Sequence, residues 1–220
     1  MRYLVENFPD IMGFTRTHLY LALVPLILGL VIAIPVGAML RRVPWLRRIT
    51  VTVASLAYTV PSLALFVIIP PLVGISTIDP LNVIIALTVY STALLVIAVP
   101  AALDSVPAGV LDAADAVGFG PLRRTLTVDM PLAVPVFVSS LRVVVVTNIA
   151  MVSMGALIGV GGLGKLFTQG YQRGYPDEII AGVLVTLALA LIFDRLVYLV
   201  GRLSTPWVRA EAVLAKSGAA

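Results

Sequence analysis

Long apolar runs alternate with short polar passages along the whole chain. Residues 17–40 contain no charged side chain, and neither do residues 49–69 or 81–103. Residues 138–160 hold only Arg142, and residues 179–201 hold only Asp194 and Arg195. Each run reaches the roughly 20 residues that a helix needs to cross a hydrocarbon core. The pattern therefore predicts about five transmembrane helices at these positions. Pro25 and Pro35 fall inside the first, where neighbouring helices can satisfy the carbonyls that proline frees. Pro70 and Pro71 end the second. Residues 1–17 mix Phe8, Ile11, Met12 and Phe14 with Arg2, Glu6, Asp10 and Arg16, which suits a short interfacial helix. The apolar run behind them is too long for a signal peptide.

Composition agrees with the pattern. Of the 220 residues 60% are hydrophobic and 12% charged, and the mean hydropathy is +1.08. That balance excludes a soluble domain of this length and predicts an all-α integral membrane protein, with residues 1–220 forming a single transmembrane domain. Cysteine is absent, so there is no thiol nucleophile or cysteine-ligated metal. The one histidine, His18, is expected at the membrane interface. The formal charge of +4 is modest and gathers at span boundaries, which points to topology rather than nucleic acid. Arg41, Arg42, Arg47 and Arg48, then Arg123 and Arg124, then Arg202, Arg209 and Lys216 share one side of a five-span chain. The other side has no Lys or Arg in loop 70–80 and only Lys165 and Arg173 in the glycine-rich loop 158–178. The positive-inside rule makes the richer side cytoplasmic, with the N-terminus outside and the C-terminus inside.

One polar passage is longer than the rest. Residues 104–131 include DAADAVGFGPLRRTLTVDMP, which reads as two short helices. Pro107 sits near the start of the first, and Gly118 suits a left-handed position just past its end. Pro121 fits the first position of the second. Asp112-Ala113-Ala114, Gly118, Val128, Met130 and Pro131 resemble the EAA loop of ABC-importer permeases: E-A-A, three residues, G, nine residues, I-x-L-P. Asp, Val and Met stand where that pattern has Glu, Ile and Leu. The resemblance implies that this segment is a cytoplasmic coupling helix docking on an ATPase through Asp112, Ala113, Ala114, Gly118 and Pro131.

Residues 159–166, GVGGLGKL, look like a nucleotide motif and fail as one. A dinucleotide fingerprint needs a preceding strand, and a P-loop needs Ser or Thr after its Lys, where this chain has Leu166. The glycines suit a re-entrant or tightly turning segment instead. With its flanks, ALIGVGGLGKLFTQGY resembles the glycine betaine, carnitine and choline branch of ABC-importer permeases, as does YTVPSLALFVIIPPLVGI over residues 58–75.

Few polar groups lie within the spans. Tyr58, Ser62, Tyr90, Thr147, Asn148 and Ser153 are the candidates for a translocation path, with Ser91 and Thr92 beside them. Helix–helix bonding is the plainer role for any one of them. The tyrosines also offer aromatic faces to a cation. Arg142 would repel such a cation, and is expected to snorkel or to pair with an acid of a neighbouring helix. No catalytic set and no metal-spaced cluster occurs, so the chain is not expected to be an enzyme.

The resemblance implies a type I ABC-importer transmembrane fold and a permease subunit that carries a compatible solute such as glycine betaine, carnitine, choline or proline betaine. It implies a partner ABC ATPase, which holds ATP and Mg, so this chain carries no cofactor. It further implies an extracytoplasmic solute-binding protein and a second permease subunit, identical or paralogous, in a bacterial cell membrane. The alternatives are a related ABC importer for amino acids, or an ion-coupled secondary carrier. A carrier usually has inverted repeats and a midplane acid, and neither is evident here.

Overall fold

The computed structural model of the protein describes residues 2–41 and 43–208. Arg42, Arg209 and Lys216, counted above toward topology, lie outside the described residues. The described residues form helices and connecting turns in the order α1 (Arg2–Glu6), α2 (Phe8–Leu40), α3 (Pro44–Thr59), α4 (Ser62–Val73), α5 (Pro80–Asp104), α6 (Ala108–Ala116) and α7 (Pro121–Arg124). A π-helical turn (Thr125–Asp129) leads into α8 (Met130–Val152). A 3₁₀ turn (Ser153–Ile158) follows, then α9 (Gly164–Arg173) and α10 (Pro176–Ser204).

Among the described residues, four helical stretches are long and apolar enough to cross a membrane, and α3 with α4 makes a fifth if that bent pair counts as one span. The second apolar run was expected as one helix over 49–69. It starts at Pro44 and breaks after Thr59, with α4 leaving at 103° to α3. The cause is local: Pro61 has no N–H to give, and it pushes Val60 into extended backbone at φ −63° and ψ 130°. The fourth run, expected from 138, is helical from Met130, so Arg142 lies well inside a continuous helix. Loop 158–178 contains a helix of its own, α9.

Helix α5 is the centre of the bundle. It packs on α2, α3, α4 and α8, and Tyr90, Leu87 and Leu95 on it are fully buried beside Leu21, Phe66 and Ile149. Lipid is as apolar as leucine, so helices in a bilayer associate through close packing and interhelical hydrogen bonds. Both are present. Gly29 and Gly37 of α2 lie against Ser91 and Val99 of α5, closer than any larger residue would allow. Asn148 of α8 exchanges hydrogen bonds with Ser91 of α5 at 3.0 and 2.8 Å and donates to Ala22 O of α2 at 3.3 Å. Helix α10 is peripheral, touching chiefly α8 and α9. Its tie to α8 is a bidentate pair, Arg142 Nε to Asp194 Oδ1 at 2.7 Å and Nη2 to Oδ2 at 2.8 Å. This is the neighbouring-helix acid that Arg142 was expected to need.

His18 departs from expectation. It is fully buried, with Nε2 donating to Ile149 O at 2.8 Å and Nδ1 accepting from Leu163 N at 3.2 Å. An imidazole can do both at once, which makes His18 a tie between α2, α8 and the glycine-rich turn. At the same end α1 leans on α10 through Tyr3, whose ring meets Tyr175 edge-on at 5.6 Å. Burial and the nearby Glu178 carboxylate push the Tyr3 phenol above its usual range.

Candidate functional site

The segment between α5 and α8 stands apart from the bundle. Helix α6 rests on it through Leu111 and Ala114, beside Val106. Its outer face shows Asp112, Ala113, Ala116 and Val117, all exposed. The helix ends as the sequence predicts. Gly118 has φ +84°, Phe119 N donates to Ala114 O at 3.1 Å, and Gly118 N donates to Asp115 O at 3.0 Å. Those two bonds are the Schellman pattern, which satisfies carbonyls that a helix end leaves open. Pro121 then opens α7 at its first position. The turn leaves Val117, Leu122 and Leu126 more than half exposed, with Arg123 stacked on Phe119 at 4.7 Å. Of the predicted coupling residues, Asp112 and Ala113 therefore face outward, Ala114 faces the bundle, Gly118 makes the turn, and Pro131 begins α8 half-buried.

Beneath this segment runs a chain of alternating charges that the motif reading did not anticipate. Arg47 Nη1 meets Asp104 Oδ2 at 2.6 Å. Asp104 Oδ1 meets Arg41 Nε at 3.6 Å, and Arg41 Nη1 donates to Asp129 Oδ2 at 2.5 Å. Arg124 Nε lies 3.6 Å from Asp129 Oδ1, and its Nη1 reaches Asp115 at 2.5 Å. The series joins α3, α5, the end of α2, the π turn, α7 and α6. Asp129 is its anchor, 1% exposed, whereas Asp104 is 41% exposed. Exposed pairs contribute about 0–1 kcal/mol, while stripping a buried charge of its partner costs about 3–5 kcal/mol. The stability that the series contributes is therefore concentrated at Arg41–Asp129. An acid between two arginines and an apolar run was the signal available in the sequence.

The candidate path residues separate into groups. Tyr58, Tyr90 and Ser62 gather at the break between α3 and α4. Tyr90 is buried and donates its hydroxyl to Val60 O, which lies at the break and loses its helical donor because Ala64 N turns to Pro61 O at 2.9 Å. Tyr58 meets the Tyr90 ring edge-on at 5.8 Å and is 37% exposed, so much of its own ring stays open. Ser62 begins α4 half-buried. Asn148 has its amide engaged by Ser91 and Ala22 inside the bundle. Thr147 is half-buried on α8, and Ser153 starts the 3₁₀ turn with a buried hydroxyl that meets no hydrogen-bond partner among the described residues. In the glycine-rich turn a Cβ on Gly164 would fall 2.4 Å from Ser153 O, so only glycine lets the returning chain pack there. Lys165, the residue a P-loop would aim at phosphate, lies over the Phe14 ring at 5.9 Å.

Comparison with known proteins bears on this arrangement. Residues 21–209 match the family described as binding-protein-dependent transport system inner membrane component. The osmoprotectant import permease protein OsmW of Salmonella typhimurium is 32% identical over 208 residues, covering 94% of this chain and 97% of that protein. The glycine betaine/carnitine/choline transport system permease protein OpuCB of Bacillus subtilis is 27% identical over 206 residues, 94% of each chain. Among solved structures, an inward-facing MetNI methionine ABC transporter superposes with a TM-score of 0.72 at 26% identity, over 88% of this chain and 94% of that one. The shared architecture is the type I ABC-importer transmembrane fold.

Proposed function

The chain belongs to the family of binding-protein-dependent transport inner-membrane components, and from that premise we propose that it moves a quaternary-ammonium compatible solute into the cytoplasm. It is a permease subunit of an ABC importer, a transport component with no ATPase site of its own. That membership removes the ion-coupled carrier from consideration. The proposed solute class rests on relatives named for osmoprotectants, glycine betaine, carnitine and choline. Importers of this family work with an ATPase and a binding protein, and here those partners are proposed to meet opposite faces of the chain.

The observation that carries the mechanism is the capped, outward-facing segment 108–126 tied to the bundle through Asp129. Val117, Leu122 and Leu126 supply an apolar docking patch for the ATPase, with Asp112 and Ala113 beside it. ATP and Mg are held by that partner. Its closure draws the α6 segments of two permease subunits together, and the charge series passes the movement to α2, α3 and α5. The path then opens outward. Energy enters because the partner binds nucleotide more tightly in one state than in the other. This reading puts the 104–131 segment in the cytoplasm, and with it the N-terminus outside and the C-terminus inside. The exposed Tyr58 ring is the first candidate for contact with the solute cation, at about 0.5–2 kcal/mol when desolvated. Ser62 and Thr147, both half-buried, are the next candidates, while Tyr90 and Asn148 hold the bundle around them.

The test is uptake into proteoliposomes that contain this chain, its partner proteins and internal ATP, with ionophores collapsing every ion gradient. Labelled glycine betaine, choline and carnitine are offered beside methionine, because the methionine transporter shares this fold at 26% identity. ATP-dependent uptake of a quaternary amine is expected. Uptake of methionine alone would move the solute assignment to amino acids. No ATP dependence would defeat the coupling mechanism.

A further inference from the structure

A groove of about 420 Å³ opens between α3 and α5 at the end of the bundle that carries the charge series. Arg41, Arg47 and Arg48 stand at its mouth, and Val51, Ile97 and Ala101 lie along its floor. The charges are unequally engaged. Arg41 is held by Asp104 and Asp129, and Arg47 gives one N–H to Asp104. Arg48 pairs with no carboxylate among the described residues and is exposed. A guanidinium has five N–H donors, so Arg47 keeps most of its own free beside Arg48. The mouth therefore offers a surplus of forked donors that suit the oxygens of a phosphate.

The floor identifies the source of that phosphate. Ile49, Val53 and Leu56 on the flank of α3 are more than half exposed, as befits a helix against lipid, and Trp45 is 65% exposed at its first turn. Tryptophan at such a position marks the level of the headgroups. A free anion gains nothing from a floor of Val51, Ile97 and Ala101, whereas a lipid brings acyl chains to it. A zwitterionic headgroup carries its own ammonium, which the arginine surplus disfavours. We propose that the Arg41–Arg47–Arg48 groove is a binding site for an anionic phospholipid, its phosphate on Arg47 and Arg48 and an acyl chain on the α3–α5 floor. Basic pockets between transmembrane helices at the membrane surface take such headgroups. The inference needs only that the chain sits in a bilayer; it is independent of the solute and of the coupling mechanism.

The experiment is native mass spectrometry of the intact transporter complex released from nanodiscs of phosphatidylcholine, with and without phosphatidylglycerol. Two variants probe the site. Arg48→Gln removes the unpaired charge and leaves the Asp104 and Asp129 pairs intact. Ala101→Trp fills the floor at an exposed position without changing charge. Wild type is expected to retain phosphatidylglycerol over phosphatidylcholine. Arg48→Gln should weaken that retention about fivefold, the effect of one basic residue at an anionic surface. Ala101→Trp should lower it in the same direction. Equal retention of the two lipids by wild type, or unchanged retention in both variants, would overturn the site. Displacement of the lipid by millimolar inorganic phosphate would mean a free-anion site instead. Loss of the ATPase from Arg48→Gln, with lipid retention unchanged, would mean a protein contact.

Discussion

At Gly118 the backbone enters the left-handed region, and a Cβ built there meets nothing within 4 Å. Any penalty for a side chain is therefore conformational, about 1–2 kcal/mol for an ordinary L-residue. Gly118→Val is expected to unravel the α6 cap and abolish ATP-dependent uptake while membrane insertion persists. Gly118→Asn, which tolerates that conformation, should keep most of the activity. Equal uptake by both would detach the cap from coupling. Asp129 makes a second case. Asp129→Asn leaves Arg41 and Arg124 facing a neutral amide in a buried setting, and a loss of about 3–5 kcal/mol is expected. Thermal unfolding of the solubilised protein would measure it. Asp104→Asn, at an exposed link of the same series, should fall within about 1 kcal/mol of wild type. If the two variants lose stability equally, the load is shared along the series and is not concentrated at Asp129.

At the level of elements, the break between α3 and α4 joins a local cause to a distant one. Pro61 opens the helix, and the Tyr90 hydroxyl donates to the Val60 carbonyl left open at the break. Tyr90→Phe keeps the ring and removes the bond, so stability should drop by about 0.5–1.5 kcal/mol with the bend retained. A much larger loss, seen in the same unfolding measurement, would mean that the hydroxyl sets the bend itself. This element also shows what the sequence could and could not tell. The Gly118 cap and the Pro121 start were legible because both follow from backbone chemistry within a few residues. The position of the break was written in Pro61, but its angle depends on partners elsewhere in the chain. His18 read as interfacial because its partners, Ile149 O and Leu163 N, lie 131 and 145 residues away. Asn148 was legible as an intramembrane polar group. Its engagement with Ser91 and Ala22 was not, since nothing local distinguishes a bundle tie from a path residue.

For the whole molecule the decisive question is which face meets the cytoplasm. The absence of cysteine makes the chain its own blank for labelling. Ser76→Cys and Leu122→Cys both introduce thiols at exposed positions, on opposite ends of the bundle in the five-span reading. An impermeant reagent applied from outside should label the first and spare the second; the reverse pattern would invert the topology. The charge series also bears on the order in which the chain is made. Arg41 follows the first apolar run, and Asp129, its counter-ion 88 residues later, follows the third. Ribosomes emit the arginine long before the aspartate. The pair cannot close until the intervening spans have left the insertion machinery and folded back on one another. The bond that anchors the segment between α5 and α8 is thus also a late seal on biogenesis, made only by chains whose first three spans have entered in register.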